Sequence, residues 1–184
     1  MAKKVNAIKN KEDIKKVMSI LKDKNETIYI FFILGISTGI DPSDLINLKI
    51  KDIIKAIDLE KLKVNKKTIS LNKNQLVILK DFIKNKSEEA YLFENKRTLE
   101  PYTTRRIGRI INDAVNEAGL KYNVAVNGLK KTYAYLLYKK IEEKDGALLA
   151  VIFLKKILGH GCLSRTMDYL DLEENLTKEC FQII

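Results

Sequence analysis

The sequence predicts a mainly helical α+β domain carrying one small antiparallel β-sheet. Apolar residues recur at the spacing of one helical face through most of the chain. A single stretch, Ile57 to Leu71, alternates instead around Leu62, Val64, Ile69 and Leu71, with Asn65-Lys66-Lys67 interrupting it, and this reads as a hairpin of two short strands. Only two prolines, no Gly/Ser-rich linker and no fixed-period repeat occur, so the 184 residues read as one domain.

Asn10 is a candidate N-cap for a first helix carrying Ile14, Val17, Met18 and Leu21, with Glu12 and Asp13 in its first turn. Residues Thr27 to Ser37 are apolar nearly all round, which suits a helix buried in the middle of the domain. The chain then turns through Thr38-Gly39-Ile40-Asp41-Pro42-Ser43-Asp44. Gly39 permits a tight turn, Asp41 reads as an N-cap with Asp44 at the capping-box position, and Pro42 suits the first position of a short helix.

Beyond the hairpin, Asn74 precedes an amphipathic helix with Leu76, Leu79, Phe82 and Ile83. Thr103 or Thr104 starts a longer one carrying Ile107, Ile110, Ile111, Ala114, Val115 and Ala118, which Gly119 stops. Asn127 precedes a helix with Leu129, Tyr133, Leu136, Leu137 and Ile141. Another carries Leu148, Val151, Ile152 and Leu158 as far as Gly159, and a short helix from Ser164 and a tail close the chain.

Lys plus Arg number 34 against 24 Asp plus Glu, a net charge of +10, which favours an anionic partner and puts nucleic acid first. The N-terminus MAKKVNAIKN has no apolar core of a signal peptide. The longest apolar stretch, Ile28 to Ile36, is about half of the ~20 residues that span a bilayer. A cytoplasmic chain with no membrane partner is therefore expected. The two cysteines, Cys162 and Cys180, and the single histidine, His160, offer neither a disulfide framework nor zinc-ligand spacing, so no metal is expected.

Three separated pieces carry a resemblance: Ser37-Thr38-Gly39-Ile40-Asp41-Pro42-Ser43-Asp44-Leu45, Asn127-Gly128-Leu129-Lys130-Lys131-Thr132-Tyr133-Ala134, and Leu158-Gly159-His160 with Tyr169. Read in order, they resemble the tyrosine recombinase (phage integrase) family, whose corresponding pieces look like T-G-L-R-x-S-E-L, H-x-L-R-H-T-F-A, and L-G-H followed nine residues later by a nucleophilic tyrosine. The resemblance covers nearly the whole chain and implies the tyrosine-recombinase catalytic-domain fold with double-stranded DNA as partner. In that chemistry a tyrosine oxygen attacks a backbone phosphate while cations neutralise the non-bridging oxygens, and no cofactor is called for.

Carried over, Tyr169 matches the nucleophile and His160 the histidine before it, and Lys66 or Lys67 at the hairpin tip matches the lysine that protonates the leaving oxygen. Four positions depart from the pattern. Asp41 stands at the first arginine, Asn127 at the histidine of the second motif, Lys130 at its arginine, and Lys131 at the histidine after it. An aspartate there turns attraction for a phosphate into repulsion, and a lysine lacks the bidentate fork of a guanidinium. The departures imply a weak or inactive site unless Arg165, Arg105 or Arg106, or a partner protein, supplies the missing cation.

Each residue also has a plain structural reading. Asp41 is a helix N-cap, Tyr169 a half-buried tyrosine, His160 a loop histidine, and Lys130, Lys131, Lys139 and Lys140 a solvated helix face. Arg105, Arg106 and Arg109 are the better DNA-contact candidates, because arginine clamps phosphates or reads guanine.

The family's separate N-terminal DNA-clamping domain has no counterpart in this sequence, which is either a free-standing catalytic-type domain or a fragment. The tail ending Cys180-Phe181-Gln182-Ile183-Ile184 resembles those by which family members dock onto a second copy or a partner recombinase, and packing on its own core is the alternative. The leading expectation is a catalytically impaired DNA-binding accessory of recombination, nucleoid-associated when bound. The alternatives are an active recombinase using Tyr169 and a protein-interaction module that keeps the fold.

Overall fold

The structure, a computed structural model, describes residues 5–65, 67–95, 97–121 and 123–172. In chain order the elements are α1 (Lys11–Lys24), α2 (Glu26–Thr38), α3 (Pro42–Leu45), α4 (Ile50–Leu59), β1 (Lys61–Val64), β2 (Lys67–Ser70), α5 (Lys73–Ile83), α6 (Thr104–Glu117), α7 (Ala125–Asp145), α8 (Ala147–Leu158) and α9 (Leu163–Leu170). The mainly helical architecture with one antiparallel hairpin is as expected. Strands β1 and β2 pair with Leu62 opposite Ile69 and Val64 opposite Lys67, and no third strand joins them among the described residues.

Helix α2 is the central element. Its side chains from Ile30 to Leu34 and Ile36 are all buried, as an all-round apolar sequence requires, and it packs on α1, α6 and α7. A Cβ on Gly35 would lie 2.7 Å from the Leu129 side chain, so the missing side chain is what lets α2 and α7 approach. The Phe31 ring meets Phe93 edge-on at 5.0 Å. Burying each such large apolar side chain contributes about 1.5–3 kcal/mol.

A second, smaller cluster joins the C-terminal half of α7 to α8 and α9 through Ala134, Tyr138, Ala150, Val151, Leu154, Met167 and Leu170. Helix α7 belongs to both clusters, since Leu129 lies in the first. The residues between Asn127 and Thr132 therefore stand at the seam, with α2 and the α2–α3 turn on one side and α9 on the other. No single helix among the described residues is long and apolar enough to cross a membrane.

Several local expectations need correction. Helix α4 has no counterpart among them, although Ile50, Ile53, Ile54 and Ile57 have helical spacing; the strand-like alternation that begins at Ile57 obscures it. Asn72 caps α5, not Asn74: its side chain accepts from Gln75 N at 3.0 Å while Asn72 N donates to Gln75 Oε1 at 2.8 Å. Helix α7 starts at Ala125, so Asn127 lies inside its first turn and does not cap it. Asn10 and Thr103 do cap α1 and α6.

Candidate active site

The site is built where the α2–α3 turn, the start of α7 and α9 converge. Gly39 closes α2 in the left-handed conformation with φ 64°, and a Cβ there would lie 2.3 Å from the Tyr133 ring. This turn brings Asp41 over α7. Although Asp41 occupies the N-cap position of α3, its carboxylate makes no capping hydrogen bond. It takes an ion pair from Lys130 instead, with Nζ 2.7 Å from Oδ1. Tertiary charge pairing has overridden the local capping preference.

Val5, Asp41, Asn127, Lys130, Lys131 and Tyr169 line a cleft of about 450 Å³. Both of its lysines are committed to the chain's own carboxylates. Lys130 holds Asp41, and Lys131 holds Asp171 with Nζ 2.7 Å from Oδ2. Asp41 also borders a neighbouring cleft of about 510 Å³ with Ile40, Asp44, Val64, Asn65 and Lys67, which places exposed Lys67 on the same side of the molecule. Lys66 lies outside the described residues.

Tyr169 lies beside His160, their rings edge to face at 5.4 Å. The phenol is half-buried, and that burial, seconded by the Asp41 carboxylate, pushes it up to about 12. His160 comes from the turn after α8, where Gly159 adopts φ 71°. Its Nδ1 lies 3.0 Å from Thr166 Oγ1. Burial, then the charges of Arg165 and Lys130, hold the imidazole below its ordinary pKa, so the neutral form prevails at neutral pH.

The three exposed arginines of α6 divide. Arg105 and Arg109 line a separate cleft of about 430 Å³ with Gly108, Asn112, Asn123 and Asn127. Arg106 turns to Tyr102, its Cζ 5.2 Å from the ring centroid. Asn127 borders both this cleft and the one holding Tyr169. No arginine lines the tyrosine's cleft among the described residues. Lys139 and Lys140 are exposed, as a solvated face requires.

The matching pieces of sequence do not reveal Thr166, Asp171 or Val5. Thr166 was discoverable as an uncharged polar residue facing the apolar side of α9. Asp171 and Val5 carry no local signal, because their roles depend on contacts across the fold.

The sequence model of the phage integrase family matches residues 9–175. The chain belongs to the phage integrase family. It is 28% identical over 183 residues to the probable integrase/recombinase YoeC of Bacillus subtilis, covering 97% of this chain and 96% of that protein. It is 31% identical to the tyrosine recombinase XerH of Campylobacter jejuni, covering 95% of this chain but only 51% of the longer relative. Among solved structures, the XerA recombinase matches at TM-score 0.69 and 20% identity, covering 98% of this chain and 64% of that one. A lambda integrase dimer bound to a COC' core site matches at TM-score 0.65 and 19% identity, covering 92% of this chain and 49% of that one.

The fold of this integrase-family chain is thus that of the tyrosine-recombinase catalytic domain. Within it, Asp41, Asn127, Lys130, His160 and Tyr169, brought to notice by sequence pieces far apart, stand around one seam, and Asp41 faces Lys130 directly.

Proposed function

We propose that this integrase-family chain binds duplex DNA as one catalytic-type domain and is impaired in strand cleavage, acting as an accessory or regulator of recombination. The observation that carries the reading is the pairing of both cleft lysines with internal carboxylates, Lys130 with Asp41 and Lys131 with Asp171. A phosphoryl-transfer site needs uncompensated, preorganised positive charge where the phosphate sits. Here an entering phosphate competes with two carboxylates, and Lys130 cannot offer a bidentate clamp. The raised phenol of Tyr169 opposes formation of the attacking oxyanion.

DNA contact is assigned to exposed Arg105, Arg106 and Arg109 and to Lys67, with Lys130 and Lys131 reaching the backbone only on exchange of partners. Lys66 or Lys67 is the candidate acid for a leaving oxygen in any residual reaction. One structural neighbour, the lambda integrase dimer, is bound to a core site, which supports duplex DNA as the ligand. A DNA ligand implies a cytoplasmic, nucleoid-associated protein. The tail beyond residue 172, outside the described residues, is assigned to a second copy or a partner recombinase.

One observation favours an active enzyme as the second reading. His160 and Tyr169 stand in ring contact beside Lys130, the grouping that a working site would share.

The reading is tested by titrating labelled duplex with the protein across a salt series. Binding that weakens steeply with salt is expected, and Arg105→Gln with Arg109→Gln reduces the logarithmic salt slope by about one for each phosphate no longer neutralised. Absence of duplex binding at low salt overturns it and favours a protein-interaction module.

A further inference from the structure

Among the described residues the buried polar side chains are Thr38, Gln75, Lys131, Thr132 and Thr166, and of these Lys131 alone is charged. An ammonium is withdrawn from water at high cost unless it is paired, so its placement requires a partner. That partner is Asp171, 2.7 Å away, with the Val5 carbonyl 3.4 Å from the same nitrogen. Asp171 terminates α9 in the left-handed conformation, φ 50° and ψ 49°, two residues after Tyr169.

A second catch holds the same point. Lys9 Nζ donates to the backbone carbonyl of Asp171 at 3.0 Å. Val5 and Lys9 belong to the segment before α1, which is fastened to the chain just before α7 by Asn6 N donating to Asn123 O at 2.8 Å and to α7 itself by Ile8 N donating to Thr132 Oγ1 at 2.9 Å. The short helix bearing the tyrosine is thereby pinned at its end by two lysines from two other parts of the chain. Lys131 Nζ lies 5.8 Å from the Tyr169 ring centroid.

We propose that Lys131 and Asp171 form a latch that seats Tyr169 in its cleft, with Lys9 as the second catch, so that Lys131 is a positioning residue for the tyrosine. The latch goes beyond the DNA-binding reading: it concerns where the phenol rests in the DNA-free chain and holds whether or not that phenol attacks a phosphate. Opening the latch releases the end of α9 and lets water reach the ring, and the phenol then loses the burial that raises it.

The test is the titration of Tyr169 in the free protein, read as the near-ultraviolet absorbance difference between each variant and its Tyr169→Phe counterpart. Circular dichroism and thermal melting are recorded beside it. Lys131→Met and Asp171→Asn are expected to bring the Tyr169 titration from about 12 down toward the ordinary 10.0 with helix content kept. Lys131→Arg retains the wild-type titration, and Lys9→Ala, a change at an exposed side chain, gives a smaller fall in the same direction.

Should Lys131→Met not fold, Asp171→Asn and Lys9→Ala decide the matter. Variants that fold, even with lowered melting temperatures, and leave Tyr169 titrating as in the wild type overturn the latch and reduce the pair to a stability element. Duplex binding is measured separately and its loss or retention does not bear on this outcome.

Discussion

The Asp41 carboxylate lies 2.7 Å from the Lys130 ammonium, so the turn after α2 directs a negative charge at the neighbouring cation. Asp41→Asn removes that charge and leaves Lys130 available to an anion. Opposite unit charges 4 Å apart interact by about 1 kcal/mol in bulk water and about 4 at an effective dielectric near 20. The Asp41 side chain is 42% exposed, which places the pair toward the lower figure. Duplex affinity at low salt should rise roughly three- to tenfold, a difference that fades as salt screens it. Fluorescence anisotropy at two salt concentrations checks this.

Tyr169 gives a pH-dependent consequence. Its folded value of about 12 lies above the ordinary 10.0, because burial and then Asp41 disfavour the phenolate. The folded state therefore binds the proton more tightly than the unfolded state does. The associated stability is fully present below pH 10.0 and is lost as pH rises through about 12. Asp41→Asn should lower the Tyr169 titration without bringing it to 10.0, since burial, the larger cause, remains. Chemical denaturation at several alkaline pH values, wild type against Tyr169→Phe, should show the steeper loss in the wild type.

His160 titrates in the opposite sense. Burial first, and then Arg165 and Lys130, lower it from 6.5, so its stabilising contribution is present above that value and is lost as pH falls through the lower folded value. Arg165→Gln should move the His160 titration part of the way back toward 6.5. The chain has one histidine, so its imidazole proton resonance reports this without assignment ambiguity. An unchanged midpoint in that variant contradicts a role for the guanidinium charge.

Gly39→Ala tests the turn that delivers Asp41. The residue has φ 64°, and an added Cβ would lie 2.3 Å from the Tyr133 ring, so both backbone strain and a clash oppose it. A loss of about 1–3 kcal/mol in unfolding free energy is expected. Urea denaturation measures it; a change under a few tenths of a kcal/mol means that the turn relaxes freely.

Much of this architecture was legible because long apolar periodicities survive folding unchanged: α2 is buried all round, as its sequence demands, and Gly119 and Gly159 stand just beyond helices. Helix α4 was hidden where one apolar residue, Ile57, served two patterns at once. The matched pieces brought Tyr169, His160, Lys130 and Asp41 to notice, but not what their side chains do. Asp41 satisfies every local rule for an N-cap, yet its carboxylate goes to a lysine 89 positions away. The Lys131–Asp171 pair was likewise invisible, since a lysine in a lysine-rich chain gives no hint of being buried.

The most direct test of the impaired-site reading is a denaturing-gel assay for covalent protein–DNA adducts on nicked duplexes drawn from the encoding genome, comparing wild type, Tyr169→Phe and the double variant Asp41→Arg with Lys130→Arg. A site whose cations are held by internal carboxylates gives no adduct with the wild type, and the double variant gains one that Tyr169→Phe abolishes. An SDS-resistant adduct formed by the wild type and lost in Tyr169→Phe contradicts impairment and makes the chain a working recombinase.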